Sequence, residues 1–318
     1  MRPFVAHADW SKSAGKRWVA TAHWTGSEYV AEAPQVVTGT RSWLKALRLQ
    51  AGSAPLFLGF DFPIGVSARY GQRLGFESFP GLLRELGRGG AGSLGTFFVP
   101  AERPEEISLH RPFYPAAPGG SRQRHLTEAL RVAAMSDLLR ACERATSNRP
   151  AANALFWTLG PKQVGHAAIT GWRDVLAPAA SDLGPDLAIW PFDGGVTELL
   201  DSPRPVTILE TYPAEACLHV GIGSPGKGWS KRRQGDRIAK GRLAVDWAAD
   251  KPLSLSVGLK EALADGFGAG EKGEDPFDAV VGLLSMLAVV LGLRGDGAPS
   301  DEAIRRWEGW ILGQRDGQ

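Results

Sequence analysis

Apolar and polar positions divide the chain into a strand-rich start, a long middle with helical spacing, and a second region of mixed strands and helices. Short apolar segments predict strands at Phe4–Asp9, Trp18–Trp24 and Glu28–Ala33, joined by Ser-Ala-Gly-Lys and Thr-Gly-Ser turns. Thr40 is placed to cap a helix over Arg41–Leu49, and Leu56–Phe60 is a continuous apolar run suited to a central strand covered on both faces. A meander, a helix and a buried strand in that order predict a mixed sheet whose fourth strand arrives by a right-handed crossover.

Over 66–183 the strand signal gives way to helical patches at Phe79–Leu86, Leu126–Ala145 and Trp172–Leu176, which read as a largely helical insertion after the fourth strand. Strands resume at Leu187–Trp190 and Val206–Leu209, with Asp193-Gly194-Gly195 as a hairpin turn between them. A helical segment begins at Pro213, and a cation-rich loop runs from Lys227 to Arg242. Near the end, Asp275 stands where an N-cap belongs and Pro276 where the first helical residue belongs. The apolar segment from Ala279 to Leu293 falls short of the ~18 residues of a membrane span, so it predicts a helix buried in a soluble core. An amphipathic helix over Asp301–Leu312 closes the chain. The expected organisation is one α/β domain, with a core of 1–65 and 184–295, the insertion over 66–183 and a C-terminal helix over 300–313.

Composition changes this picture little. With 318 residues, 43% of them hydrophobic, the chain can bury a sizeable core. Its net charge of +2 is too mild to argue for nucleic acid, so an electrostatic case must rest on local clusters. Cys142 and Cys217 share no metal-ligand spacing and read as free thiols in a reducing compartment. Met1-Arg2-Pro3-Phe4 does not open a secretory signal, so a cytoplasmic setting and no membrane association are expected; nothing in the pattern sets an oligomeric state.

The candidate chemistry lies in acids at element ends. Asp9, Asp61 and Glu210 each close a predicted strand, while Asp275 and Asp278 open the buried helix. In open α/β sheets the ligand crevice lies beyond the carboxyl ends of the strands, where these acids would meet. Two carboxylates about 4 Å apart repel by roughly 4 kcal/mol at an effective dielectric of 20, so protons or cations must neutralise such a cluster. Oxygen ligands select Mg2+ or Mn2+ over zinc, and such ions activate water for phosphodiester cleavage. Each acid also has a purely structural reading, as a cap, a turn former or, for Glu210, the partner of a Lys or Arg from the 227–242 loop.

Lys12, Lys227, Lys231, Arg232 and Arg233 are the candidate phosphate contacts. Trp229, set among those charges, and Trp10 are candidates for stacking on bases. His7 and His219 could move protons, although a lone histidine more often packs as a hydrogen-bonded core residue. Asp193-Gly194-Gly195-Val196-Thr197 leaves room for an alternative, the phosphate loop of an actin-like phosphotransferase. A non-catalytic binding protein is a further alternative.

Four pieces carry a family resemblance: Ala8-Asp9-Trp10-Ser11-Lys12, Gly59-Phe60-Asp61-Phe62-Pro63-Ile64-Gly65, Glu210-Thr211-Tyr212-Pro213-Ala214 and Asp275-Pro276-Phe277-Asp278-Ala279. Together they resemble the family catalogued as domain of unknown function 429, a set of predicted nucleases with the ribonuclease H-like fold. The resemblance implies a mixed sheet with three antiparallel strands at one side, and metal-binding acids at Asp9, Asp61, Glu210 and Asp278 with Asp275 as a fifth. The last piece also resembles the Holliday-junction resolvase branch of that superfamily. The long insertion is not covered.

Overall fold

The computed structural model describes residues 1–315 apart from 91, 148 and 161–163. Eight strands form a mixed sheet: β1 (Phe4–Asp9), β2 (Trp18–Trp24), β3 (Tyr29–Ala31), β4 (Gln35–Val36), β5 (Leu56–Phe60), β6 (Leu187–Ile189), β7 (Val206–Glu210) and β8 (Leu253–Leu255). The chain divides into two compact units. One takes in Met1–Asp61, Asp193–Gly297 and Ile311–Gln314; the other takes in Phe62–Phe192 and Ala298–Trp310. Among the described residues no helix is long and apolar enough to cross a membrane.

In the first unit the strands run in the order β7-β5-β1-β2-β3-β8, with β4 against β2. β1, β5 and β7 are mutually parallel and buried along their whole length, which is why they read as unbroken apolar runs. β2 is antiparallel to both β1 and β3, and β8 adds to β3 in parallel. The antiparallel meander and the parallel arrival of the Leu56–Phe60 strand are therefore as the pattern predicts. β8, only three residues long, and the two-residue β4 carry too little pattern to be read in advance.

The Glu274–Val290 helix packs on β1 and β2, and every residue from Pro276 to Val290 is buried. Its contact with the sheet is close because glycine is present on both sides. A Cβ on Gly282 would lie 2.1 Å from His7 Cε1, and one on Gly59 would lie 2.4 Å from Met286 Sδ. His7 is fully buried in this seam. Its ring nitrogens bond to the Ala279 carbonyl at 3.0 Å and the Thr211 hydroxyl at 2.6 Å, and burial lowers its pKa to about 4, so the ring is neutral. With one ring hydrogen, Nδ1 donates to the Ala279 carbonyl and Nε2 accepts from Thr211.

The helix begins two residues earlier in the chain than the capping pattern suggests: Gly273 is its N-cap and Asp275 its second residue, because a 3-10 turn at Gly270–Gly273 feeds directly into it. It ends at Val290, since Gly292 takes a left-handed φ of 74°, and Leu291–Leu293 leave the axis. Gly39, not Thr40, caps the Thr40–Gln50 helix; the Thr40 hydroxyl instead accepts from Arg17 Nη1 at 2.8 Å. Most of the cation-rich stretch expected as loop up to Arg242 belongs instead to a helix, Gln234–Ala248, whose buried positions are Arg237, Gly241, Ala244 and Ala248. Small residues and an arginine on the covered face give it no apolar stripe to detect. Asp193-Gly194-Gly195 makes no hairpin; it leads into the Val196–Asp201 helix.

The second unit contains the expected insertion over 66–183, which is helical with irregular connections, and takes in as well the Leu187–Ile189 strand expected in the core and the segment Ala298–Trp310. The Phe79–Gly87 helix agrees with expectation, whereas Leu126–Ala145 is helical only as the end of Gln123–Ala129, followed by 3-10 turns at Met135–Leu138 and Ala141–Glu143. Arg131, at φ 50°, breaks the helical path there. The predicted closing helix over 300–313 shrinks to 302–308, ended by Gly309 at φ 65°. Within this unit a buried ion network fixes that segment. Arg140 meets Glu143 at 3.0 Å and the Glu308 carbonyl at 2.9 Å, and the Glu308 carboxylate accepts from the Ala68 and Ala141 amides.

Replacing glycine by alanine inside a helix ordinarily stabilises it by about 1 kcal/mol. At Gly282 the sign should reverse. Gly282→Ala is expected to lower stability by about 1–3 kcal/mol, because the new methyl must displace the His7 ring. Urea unfolding followed by circular dichroism checks this, and an unchanged or raised midpoint would refute the close packing.

Candidate functional site

Parallel pairing of Ala8 with Phe60 brings the next residues, Asp9 and Asp61, side by side at the ends of β1 and β5. Side chains alternate along a strand, so Asp9 lies on the face of His7, which the Glu274–Val290 helix covers. Asp278 comes from the first turns of that helix, one residue before the Ala279 carbonyl that holds His7. Asp9 and Asp278 are only 8% and 7% exposed.

The charges of Asp61 and Asp278 act on Asp9, and that of Asp278 acts on Asp61. Asp61 Oδ1 accepts from the Trp10 amide at 2.7 Å. Burial, followed by the charges of Asp61, Asp278 and Asp275, pushes Asp9 well above the usual carboxylate range. Burial raises Asp61 to about 7 against the help of the Trp10 amide, and raises Asp278 to about 6 against the pull of Lys231. Asp275 is half-buried and also raised by burial, with Lys16 and Lys231 opposing.

A lysine already stands in this cluster. Lys231 Nζ donates to Asp278 Oδ2, and its side chain is 15% exposed. Burial disfavours the ammonium, but the Asp278 carboxylate more than offsets this and holds Lys231 above its ordinary range. The other carboxylate oxygen, Asp278 Oδ1, is buried and has no hydrogen-bond partner. Burial and the charge of Asp278 push the Cys217 thiol up to about 12, so it stays protonated.

Several expected participants stand elsewhere. Glu210 pairs with Phe60, which puts it on the face of Ala8 and Phe60, opposite Asp9 and Asp61; the next residue, Thr211, is the one that reaches His7. The expectation that Glu210 joins the other acids is corrected by one step of the strand pleat. Trp229 is 6% exposed, edge-on to Phe277 and 5.3 Å from Lys240 Nζ, and so offers no open face to a base. Trp10 is likewise buried, against Trp43 and Phe60. Lys231, expected to meet phosphate, is engaged by Asp278.

Lys12 and Lys227 are exposed. So are Arg232, near Glu271 and Glu274 at 3.8 and 3.7 Å, and Arg233, on Asp236 at 2.7 Å. Burial, followed by the charge of Arg294, lowers the His219 pKa to about 3, so the ring is neutral, and its Nδ1 bonds to the Ser285 hydroxyl at 2.8 Å. The amides that would form a phosphate loop after Asp193 are already taken: Glu198 accepts from Gly195 at 2.8 Å and Asp296 from Val196 at 2.7 Å. Lys16, whose charge acts on Asp275, and Thr211 are site neighbours that the sequence did not single out. Thr211 was signalled only by its spacing of two from Leu209.

No protein-family model, curated protein or solved structure matches the chain. The donors suit a hard divalent cation in kind, being carboxylate oxygens with one buried oxygen unpaired. In number they fall short: among the described residues no three His, Cys, Asp or Glu side chains converge as ready ligands.

Because Asp61 holds its proton longer in the folded chain, the folded state loses stability as pH rises from the ordinary carboxylate range to about 7. Asp61→Asn removes this loss. In metal-free buffer the melting temperature of the variant relative to the unaltered chain should rise between pH 5 and pH 8. A difference that is flat across that interval would mean that Asp61 titrates normally.

Proposed function

We propose that the chain is a divalent-metal-dependent phosphodiesterase acting on nucleic acid, built on a ribonuclease H-like fold. The observation that carries this reading is the placement of buried Asp9 and Asp278 and of Asp61 at the ends of two adjacent parallel strands and the start of one helix, near enough that the charges of Asp61 and Asp278 act on Asp9. The sheet supports it as well, with antiparallel β1, β2 and β3 on one side and parallel β5 and β7 on the other, as the family resemblance implies.

Asp9, Asp61 and Asp278 would hold Mg2+ or Mn2+, with Asp275 at the mouth of the site. Such an ion, when bound, supplies an activated water and charge stabilisation at phosphorus. The chain's own residues then have separable tasks. The Trp10 amide fixes the Asp61 carboxylate. Neutral His7 ties β1 to the helix that carries Asp278 and sets the spacing of the acids. Exposed Lys12, Lys227, Arg232 and Arg233 are available to a phosphate backbone. The two buried free thiols suit a reducing, cytoplasmic setting.

Calorimetric titration with Mn2+, together with cleavage assays on single-stranded, duplex, hybrid and branched substrates, tests the proposal. The unaltered chain should bind Mn2+ and cleave at least one substrate. Asp9→Asn should weaken binding at least ten-fold and abolish cleavage, while Glu210→Gln should leave Mn2+ affinity unchanged. Neither binding nor cleavage by the unaltered chain would refute the reading, and binding without cleavage would leave a non-catalytic metalloprotein.

A further inference from the structure

We propose that the second unit carries a binding site for one nucleotide, either a free mononucleotide or the unpaired 5′ end of a strand, in the cavity between segment 72–78 and residues 306 and 307. The cavity has a volume of about 610 Å³ and is lined by Gln72, Phe76, Glu77, Ser78, Arg306 and Trp307. These residues all belong to the second unit, and none is among the acids Asp9, Asp61 and Asp278. The site therefore stands apart from the metal-dependent reading.

The cavity is fixed by buried packing and backbone hydrogen bonds. Trp307 is only 2% exposed; a Cβ on Gly71 would lie 2.3 Å from its Cε3, and its carbonyl accepts from the Val66 amide at 2.9 Å. The Glu308 carboxylate accepts from the Ala68 amide at 2.8 Å, which ties the segment bearing Arg306 to the Ala68–Gly71 helix that Gln72 follows. Gly75, at φ 78°, then turns the chain so that Phe76, Glu77 and Ser78 line the same space. The Ser78 hydroxyl accepts from the Gly81 amide at 3.3 Å and keeps its own hydrogen to donate.

These groups match the parts of a nucleotide. Phe76 is partly exposed and is the ring on which the base stacks. The Gln72 amide holds a donor and an acceptor, the pair that adenine takes at N7 and N6. Glu77 accepts from the ribose hydroxyls, as an acidic side chain does at dinucleotide sites. Arg306 supplies the cation for the phosphate; its Nη2 meets Glu302 at 2.9 Å, but that pair is exposed and so is readily exchanged for a phosphate oxygen. Smaller ligands suit the cavity less well. Inorganic phosphate would meet the Glu77 carboxylate as well as Arg306, and a single amino acid would leave much of the volume unfilled.

The experiment is calorimetric titration of the full chain with adenosine 5′-monophosphate in metal-free buffer, with adenosine, inorganic phosphate and free tryptophan as comparators. One nucleotide per chain is expected. Arg306→Met should weaken the nucleotide about ten-fold and leave adenosine unchanged, whereas Phe76→Ala should weaken both. No binding at millimolar nucleotide, binding that neither variant alters, or tighter binding of inorganic phosphate or tryptophan would overturn the proposal. Arg306 is exposed, so Arg306→Met decides alone should Phe76→Ala fail to fold. Competition with a 5′-phosphorylated oligoadenylate separates the two sources: displacement at lower concentration than the mononucleotide assigns the site to strand ends, and failure to displace assigns it to the free nucleotide. A negative result here leaves the metal-dependent reading untouched, because none of its acids takes part.

Discussion

The seam between the Glu274–Val290 helix and strands β1 and β5 is the contact on which the rest of the molecule's chemistry depends. Gly282 and Gly59 let the helix come so near that His7 fills the remaining space, and the ring's two hydrogen bonds lock the helix to β1 and to Thr211. Close packing of this kind tolerates little adjustment. It therefore sets where the first turn of the helix stands relative to the strand ends, and with it the separation between Asp278 and the pair Asp9 and Asp61.

Given that placement, electrostatics leaves few options. Carboxyl groups taken out of water and set near one another resist ionisation together, so burial raises the pKa values of Asp9 and Asp61 while an ammonium pairs with Asp278. The cluster is therefore neutralised without being satisfied, since one oxygen of Asp278 has no partner. A buried polar atom left in that state costs stability, which a purely structural role for the aspartates does not explain. The same feature is where the functional proposal starts, because an unpaired carboxylate oxygen is a donor of the kind a hard cation takes.

The sequence made the central strands, the buried helix and the position of Asp9, Asp61 and Asp278 legible, because long apolar runs and acids at their ends are strong local signals. Glu210 was misplaced because strand-end position says nothing about pleat phase; only the pairing of Phe60 with Glu210 shows which face it takes. Lys231 was read as a phosphate contact and Trp229 as a stacking surface because both stand among neighbouring cations in the sequence. Their burial depends on Phe277 and Asp278, some 47 positions further along for the lysine, and no local pattern reports it. The Gln234–Ala248 helix was hidden for a related reason, since its covered face holds Gly241, Ala244 and the buried Arg237 in place of large apolar side chains.

Arg237 has one more effect. Because a single side chain fastens the lysine's backbone and the glycines ahead of the acid-bearing helix, those segments behave as parts of one rigid bracket. A tug on the cationic loop by a bound polyanion would thus be transmitted to the helix tip, and not dissipated in slack chain, so grip at the surface and alignment in the interior would rise and fall together.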